Sequence, residues 1–245
     1  MSLHVRLKKM LENAFPLEFR NSLRDFKTIY CDENRIIVDL LRDNLRDRFI
    51  APILDVGAGL GDIAEEGFPE FEAVLLDVNE IPPGRSQLHR RVTGDFFSFE
   101  PAPYDRPHTL LLCHVLQYLD DDIPRLRSKI SSLDPSLIIE VSNDNNDKFG
   151  EVMLWSIDEI KGANPELHCE FADPARYSLT ETYPFAATIE CPSFPTMARH
   201  FTEMLIDAPV TTEALSKVEQ KLRAILQEPK ILVNQTMNIY EKQRR

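Results

Sequence analysis

Three glycines within five residues, Gly57, Gly59 and Gly61, constrain the fold most, because the whole chain has only 8 glycines in 245 residues. They follow a short apolar run, residues 53–56, which predicts a buried strand. Glycine permits a positive φ in a tight turn and lets backbone amides approach a ligand closely. In open α/β folds, a strand that runs into such a turn at the carboxyl edge of the sheet forms a nucleotide site. The pattern therefore predicts a nucleotide-like ligand at this turn.

The spacing of the glycines argues against a dinucleotide ligand. The segment reads G-x-G-x-G, and Asp62 stands where the dinucleotide fingerprint G-x-G-x-x-G would place its third glycine. An acidic residue at the end of the next predicted strand, Asp77, would nevertheless suit NAD as well. We therefore expect a ligand other than NAD and keep an NAD enzyme as the third alternative.

Composition excludes several classes of protein. The net charge of −12 disfavours non-specific nucleic-acid binding, since phosphate backbones need a positive surface. No apolar run reaches the roughly 18 residues of a membrane span, and residues 1–10 lack the apolar centre of a secretory signal. The cysteines are widely spaced without a C-x-x-C pair, which predicts reduced thiols in a cytoplasmic protein and no zinc or other metal site. They are Cys31, Cys113, Cys169 and Cys191.

Apolar runs alternate with helical patterns along the first part of the chain. Strands are predicted at residues 53–56, 73–77, 87–92, 109–113 and 137–141. Amphipathic helices are predicted at residues 5–15, 32–48 and 123–133, and the acidic residues 120–122 read as the cap of the last. Such alternation predicts an α/β fold with a mostly parallel, Rossmann-like doubly wound sheet covered by helices on both faces.

The pattern changes after residue 141. A polar loop at 142–147, an irregular stretch at 155–185, a strand at 185–191, helices at 194–206 and 212–227, and a last strand at 231–240 are predicted. A late pair of strands would close a mixed sheet. We expect one domain, with an N-terminal helical segment (1–50), a ligand-binding core (51–141), and a substrate-side cap with closing strands (142–245).

At this point the chain resembles the class I S-adenosylmethionine-dependent methyltransferases, from roughly residue 30 to residue 141. The resemblance is carried by four segments in the family's order: Leu54–Asp62 (LDVGAGLGD), Leu75–Val78 (LLDV), Gly94–Phe96 (GDF) and Leu112–Asp120 (LCHVLQYLD). The last of these is similar to the segment found in methyltransferases that act on small molecules. The resemblance implies a seven-stranded sheet whose last strand is antiparallel, with helices ahead of it.

The resemblance also implies a role for each site residue. Asp77 would accept hydrogen bonds from the ribose hydroxyls, and Asp55 would face the ammonium group of the cofactor. Asp95 would accept from the adenine amino group while Phe96 packs on the ring. The residues implied for cofactor binding are Tyr30, Asp55, Gly57, Ala58, Gly59, Gly61, Asp77, Val78, Asp95, Phe96, Cys113 and His114.

The resemblance implies methyl transfer from S-adenosylmethionine to an O, N or C atom of a small molecule. His114 is the candidate general base, if the acceptor needs one. The polar loop and the single tryptophan supply the candidate acceptor contacts Asn143, Asp144, Asn145 and Trp155. An Asn-Pro-Pro-Tyr pattern, typical of exocyclic-amine methylation, is absent after the fourth strand, which disfavours nucleobase acceptors.

Two alternatives to a methyltransferase remain open besides an NAD enzyme. One is a catalytically silent S-adenosylmethionine-binding partner or sensor protein. The other is an aminopropyl transferase on the same scaffold, although its usual Gly-Gly-Gly-Asp-Gly turn is absent. We expect a small-molecule acceptor as partner, without nucleic acid or membrane, and a homodimer stays open beside a monomer.

Overall fold

The computed structural model describes residues 29–119, 122–144, 146–156, 158–159, 171–205 and 211–243. The helix predicted at 5–15 lies outside these residues, as do Asn145 and the acidic pair 120–121. Within the described residues, no helix is both long and apolar enough to cross a membrane.

Seven strands form one sheet in the order β3-β2-β1-β4-β5-β7-β6. The strands β1 to β5 are parallel, so their carboxyl ends lie along one edge. The predicted limits of the first, second and fourth strands are confirmed, and the other strands are longer or shifted. The strands are β1 (Ile53–Val56), β2 (Ala73–Asp77), β3 (His89–Thr93), β4 (Thr109–Cys113), β5 (Leu137–Asn143), β6 (Tyr177–Glu190) and β7 (Lys230–Lys242).

The last strand, β7, is antiparallel to its neighbours. Along β5, the N–H of Asp144 bonds to the carbonyl of Asn234, and the carbonyl of Ser136 accepts from the N–H of Lys242. As residue numbers increase along β5, the residue numbers of the partners on β7 decrease, which defines antiparallel pairing. The expected fold, a mostly parallel seven-stranded sheet with an antiparallel last strand, is confirmed.

Helices connect the strands, and the one predicted at 123–133 has the predicted limits. Asp122 caps it by accepting a hydrogen bond of 3.0 Å from the N–H of Arg125. The predicted 32–48 helix begins as α1 and continues as a π-helical turn, Leu41–Leu45, and a 3-10 turn, Arg46–Arg48. The helices are α1 (Glu33–Leu40), α2 (Asp62–Gly67), α3 (Leu116–Leu119), α4 (Ile123–Leu133), α5 (Lys148–Ser156), α6 (Phe194–Leu205) and α7 (Thr212–Ile225).

The described residues group into two compact units. The first lies within residues 29–34, 143–159 and 185–235, and the second within 35–142, 171–184 and 236–243. The second unit has a core of strand residues such as Leu54, Leu110 and Ile138. The first has its own core, with Met197 and Phe201 of α6. The expectation of one domain in three segments stays a prediction.

The prediction of an irregular stretch at 155–185 is wrong at both ends. Trp155 lies in α5, and β6 begins at Tyr177. The helix was missed because its start is polar: the carboxylate of Asp147 accepts from the N–H of Gly150 at 2.7 Å and begins the helix inside the predicted loop. The start of β6 was missed because Ser178–Thr182 are exposed and carry no apolar alternation.

Candidate functional site

The glycine turn follows β1 at the carboxyl edge of the parallel strands. Gly57, Gly59 and Gly61 all have positive φ, at 70°, 60° and 82°. The N–H groups of Gly57 and Ala58 bond to the carbonyl of Leu76, at 2.8 and 3.1 Å. These conformations are in the left-handed region, which residues with a Cβ rarely adopt. The turn is therefore specified by its glycines and held against β2.

The glycines differ in what a side chain at each would meet. A Cβ on Gly57 would lie 2.8 Å from Cγ2 of Val115, and one on Gly61 would lie 3.1 Å from Cδ1 of Leu75. A Cβ on Gly59 would have no closer neighbour than the Gly57 carbonyl oxygen, at 4.0 Å. Gly59 therefore faces open space, whereas Gly57 and Gly61 face protein atoms. The middle glycine leaves a cradle beside the backbone that a ligand can enter.

Asp77 is the last residue of β2, and its carboxylate is hydrogen-bonded to the glycine turn. Its Oδ2 accepts a hydrogen bond of 2.9 Å from the N–H of Gly59. Its Oδ1 accepts from the backbone N–H and from Nδ2 of Asn79, at 2.8 and 3.1 Å. A carboxylate offers roughly four acceptor positions, so three donors leave about one for a ligand unless the Asn79 side chain moves. Val78 lies between these two residues and is half-buried.

Asp55 lies in the middle of the sheet, one residue before the end of β1. It is paired in register with Leu75 of β2 and Leu111 of β4. Only 2% of its surface is exposed. A carboxylate buried to this degree needs polar partners, and Asp55 lies two residues before Gly57, where the glycine turn begins.

Asp95 and Phe96, the acidic-aromatic pair after β3, differ in exposure. Asp95 is exposed, and its Oδ2 accepts from the N–H and Oγ of Ser98, both at 2.9 Å. Phe96 is a core residue, only 3% exposed. The more accessible ring is Phe97, which lies 5.6 Å from Phe96 between ring centroids and carries the guanidinium of Arg125 at 4.2 Å.

His114 has a strained backbone at the end of β4. Its φ is 51°, one of two positive values for non-glycine residues among those described. Its N–H donates to the carbonyl of Val141 at 2.9 Å, so the residue is held against β5. Cys113, directly before it, is half-buried. Strain of this kind persists where the surroundings impose it and is concentrated at functional sites.

Glu65 of α2 connects this helix to the loop that follows Asp77. Its carboxylate accepts from the N–H groups of Arg85 and Ser86, at 2.8 and 2.9 Å, and also contacts Arg91 and His89. Burial raises the pKa of Glu65, but these hydrogen bonds and the histidine outweigh it and hold the pKa below its ordinary value. The helix after the glycine turn is thereby tied to the loop after Asp77.

Comparison with known proteins gives solved structures only, because no family model and no curated protein matches the sequence. The chain is similar to the cyclopropane-fatty-acyl-phospholipid synthase-like protein from Lactobacillus casei ATCC 334, with 12% identity over 97% of this chain and 99% of that one, at a TM-score of 0.50. It is similar to the N-methyltransferase NodS from Bradyrhizobium japonicum WM9, in complex with S-adenosyl-L-homocysteine, with 14% identity over 97% of each chain and a TM-score of 0.47. A S-adenosylmethionine-dependent methyltransferase from Archaeoglobus fulgidus matches with 20% identity over 86% of this chain and 97% of that one, at 0.43.

The match at a TM-score of 0.50 extends over nearly the full length of both chains. The strand order 3-2-1-4-5-7-6 of this chain, with an antiparallel last strand, is that of a Rossmann-like methyltransferase fold. The chain has the class I methyltransferase fold. At these identities the likeness concerns the methyltransferase fold alone.

The remaining described residues of the predicted site lie in the first unit. The ring of Tyr30 is 5.1 Å from that of His200. Trp155 is half-buried, packs on the core of this unit, and has Nζ of Lys221 over its ring at 5.7 Å. Asp144 is exposed, and its Oδ1 accepts from Asn146 in a local turn.

Asn143 belongs to a hydrogen-bond network that the sequence reasoning missed. Its Oδ1 accepts from Nε2 of Gln235 at 3.1 Å, and the same Nε2 donates to the carboxylate of Glu33. Gln235 is 2% exposed. The sequence contains a signal for this network. One face of β7 is buried and otherwise apolar, and Gln235 is the polar residue on it, beside residues 231, 233, 237 and 239.

Proposed function

We propose that this protein is an S-adenosylmethionine-dependent methyltransferase that transfers the methyl group to an O, N or C atom of a small molecule. One observation carries the proposal: the left-handed glycine turn after β1 is hydrogen-bonded, through Gly59, to the acid that ends β2. This places exposed backbone and a carboxylate side by side at the carboxyl edge of a methyltransferase fold, where nucleotide ligands bind in open α/β sheets.

The residues present fit S-adenosylmethionine. Open space beside Gly59 lets the ligand approach the backbone, and a side chain there would fill that space. Asp77 has acceptor capacity for a ribose hydroxyl beside its three protein donors. Cofactor binding would further involve Asp55 for an ammonium group and the strained His114 at the end of β4. Tyr30, Val78, Asp95, Phe96 and Cys113 remain proposed contacts.

S-adenosylmethionine supplies a methyl group already activated by its sulfonium. The chain then has to hold the nucleophile in line and keep water out, because correct placement alone removes much of the barrier. For an acceptor with an undissociated hydroxyl, the imidazole of His114 would take the proton. An acceptor that attacks as a free amine or as a carbanion would need no such base.

The proposed acceptor contacts are Asn143, Asp144, Asn145 and Trp155. Asn143 is the last residue of β5, Asp144 follows it, and Trp155 lies in α5. Asn143 already takes part in a network with a buried glutamine, which favours a polar small molecule. The described cysteines, Cys31, Cys113 and Cys191, form no disulfide with one another, which suits the proposed cytoplasmic location.

Calorimetric titration with S-adenosylmethionine and S-adenosylhomocysteine, with NAD as control, tests the cofactor. One-to-one binding of the first two and none of NAD would support the proposal. If neither compound binds, the glycine segment is a structural turn that binds no cofactor, and the proposal is wrong. An acceptor screen that detects S-adenosylhomocysteine release then separates an enzyme from a silent binding protein, for which binding would persist without turnover.

A further inference from the structure

The amide of Gln235 has a fixed orientation. Its Nε2 faces the carboxylate of Glu33 and Oδ1 of Asn143. An ionised carboxylate has acceptors only, so the side of the amide that meets Glu33 has to be the NH₂ group. The alternative flip would bring two acceptor oxygens together. The position of Oε1 on the other side of the amide is therefore determined by chemistry.

Oε1 of Gln235 is buried and accepts no hydrogen bond from any described residue. The side chain as a whole is 98% buried, since its exposed fraction is 2%. Buried polar atoms in native proteins are nearly always hydrogen-bonded, and each exception calls for an explanation by water, ion or ligand. Here the other half of the same amide makes two hydrogen bonds, so the side chain is well placed. Its acceptor nevertheless has no donor within the part of the chain that the structure describes.

The first unit contains further buried acceptors of this kind. Oδ1 of Asn34, Oγ of Ser156 and Oγ1 of Thr202 are buried without a hydrogen-bond partner among the described residues. All three belong to the same unit as Gln235. Buried polar atoms without a protein partner call for water, an ion or a ligand to supply the missing hydrogen bond.

We propose that Gln235 is a specificity-determining residue, whose Oε1 accepts a hydrogen bond from an O–H or N–H donor of the small molecule that is methylated. Glu33 and Asn143 are positioning residues, because they hold the amide with its oxygen directed away from them. The inference rests on the proposed function, and it narrows the acceptor to molecules that carry such a donor. A site built around a buried acceptor strongly rejects analogues that lack the donor.

Crystals of the full chain soaked separately with phenol, aniline and toluene test the inference without knowledge of the natural acceptor. The three probes have similar shapes, and only toluene lacks a donor. We expect the O–H of phenol and the N–H of aniline within hydrogen-bond distance of Oε1, and no toluene there. An Oε1 that accepts from a protein donor, or whose surroundings no donor probe enters, overturns the inference.

A pair of variants checks that the amide is responsible. Gln235→Met keeps the length of the side chain but removes its acceptor, and we expect it to lose the phenol site. Gln227→Met makes the same change at an exposed position and should keep it. Phenol bound equally well in both variants would also overturn the inference. Should Gln235→Met fail to fold, the soaks of the parent protein decide by themselves.

Cofactor titration of the same protein separates this inference from the proposed function. Phenol on Oε1 without any binding of S-adenosylmethionine would remove the methyltransferase and leave Gln235 as a recognition residue for a small molecule. Binding of S-adenosylmethionine with Oε1 bonded to a protein donor would leave the methyltransferase and remove the role of Gln235.

Discussion

The backbone N–H of Gly59 donates a hydrogen bond of 2.9 Å to Oδ2 of Asp77, and this bond joins two strands' ends into one site. The two residues are 18 positions apart in the sequence. They meet because β1 and β2 are adjacent and parallel, with Val56 opposite Leu76. The bond aligns an exposed backbone segment with a carboxylate at the carboxyl edge of the sheet.

Substitution at Gly59 should impair the ligand site more than the fold. Gly59→Ala places a Cβ in open space, so the protein bears mainly the strain of a left-handed residue, about 1–2 kcal/mol. The Cβ would occupy the cradle proposed for the cofactor. We expect strongly reduced binding of S-adenosylmethionine by calorimetry, with a modest fall in Tm.

Gly57→Ala is the matched comparison for Gly59→Ala. It has the same conformational strain, but its Cβ would lie 2.8 Å from Val115, which adds about 1–3 kcal/mol of overpacking. The fall in Tm should therefore be clearly larger at Gly57. Equal affinity of Gly59→Ala and parent for S-adenosylmethionine would show that no ligand occupies the space beside Gly59.

Loss of the Asp77 carboxylate should weaken cofactor binding. Asp77→Ala removes the acceptor for a ribose hydroxyl and the bond that fastens Gly59, and we expect a loss of about 1.5–3 kcal/mol in binding free energy. Asn79→Ala removes one competing donor, Nδ2, from the same carboxylate and should change the affinity less. Calorimetric Kd values for S-adenosylmethionine, measured for both variants, test this prediction. An unchanged Kd in Asp77→Ala would show that Asp77 does not bind the cofactor.

His114 can be tested without disturbing its backbone. Its φ of 51° is tolerated by asparagine better than by most residues, so His114→Asn keeps the conformation while removing the imidazole. We expect normal affinity for S-adenosylmethionine and a loss of turnover with acceptors that need deprotonation, about 100-fold or more. Turnover at the parent rate would exclude a general base at this position.

Asp134 should make stability depend on pH. A hydrogen bond from Lys242, at 2.7 Å, outweighs the effect of burial and, with Arg176 and Arg106, holds the pKa of Asp134 below its ordinary value of 3.8. A lowered pKa in the folded state stabilises the protein fully above 3.8, and this contribution is lost as the pH falls through the folded-state pKa.

The variant Asp134→Asn isolates this charge, because asparagine also tolerates the φ of 56° at this position. We expect it to lower the free energy of unfolding in urea at about pH 7, with the difference from the parent shrinking toward about pH 3. Asp39→Asn is the control, since that carboxylate pairs with Arg35 at 3.5 Å on the exposed surface, where ion pairs contribute little. A difference for Asp134→Asn that does not change with pH would contradict the charge-based origin.

Local sequence patterns predicted the helices and strands that are specified by residues close together in the sequence. The limits of β1, β2, β4 and α4 follow from apolar runs and from the capping of α4 by Asp122. Elements whose burial comes from distant partners were placed less well. Ser178–Pro184 of β6 are largely exposed and read as irregular, since only the pairing with β7 makes them a strand.

The same distinction holds for the site. The sequence by itself determined the glycine turn and the acid that ends the next strand, because a positive φ and a strand end are properties of short segments. Only the tertiary structure decided that Phe96 is buried in the core while Phe97 is more accessible, and that Gln235 meets Glu33 and Asn143. Those contacts join residues up to 202 positions apart, and no local pattern specifies which strands become neighbours.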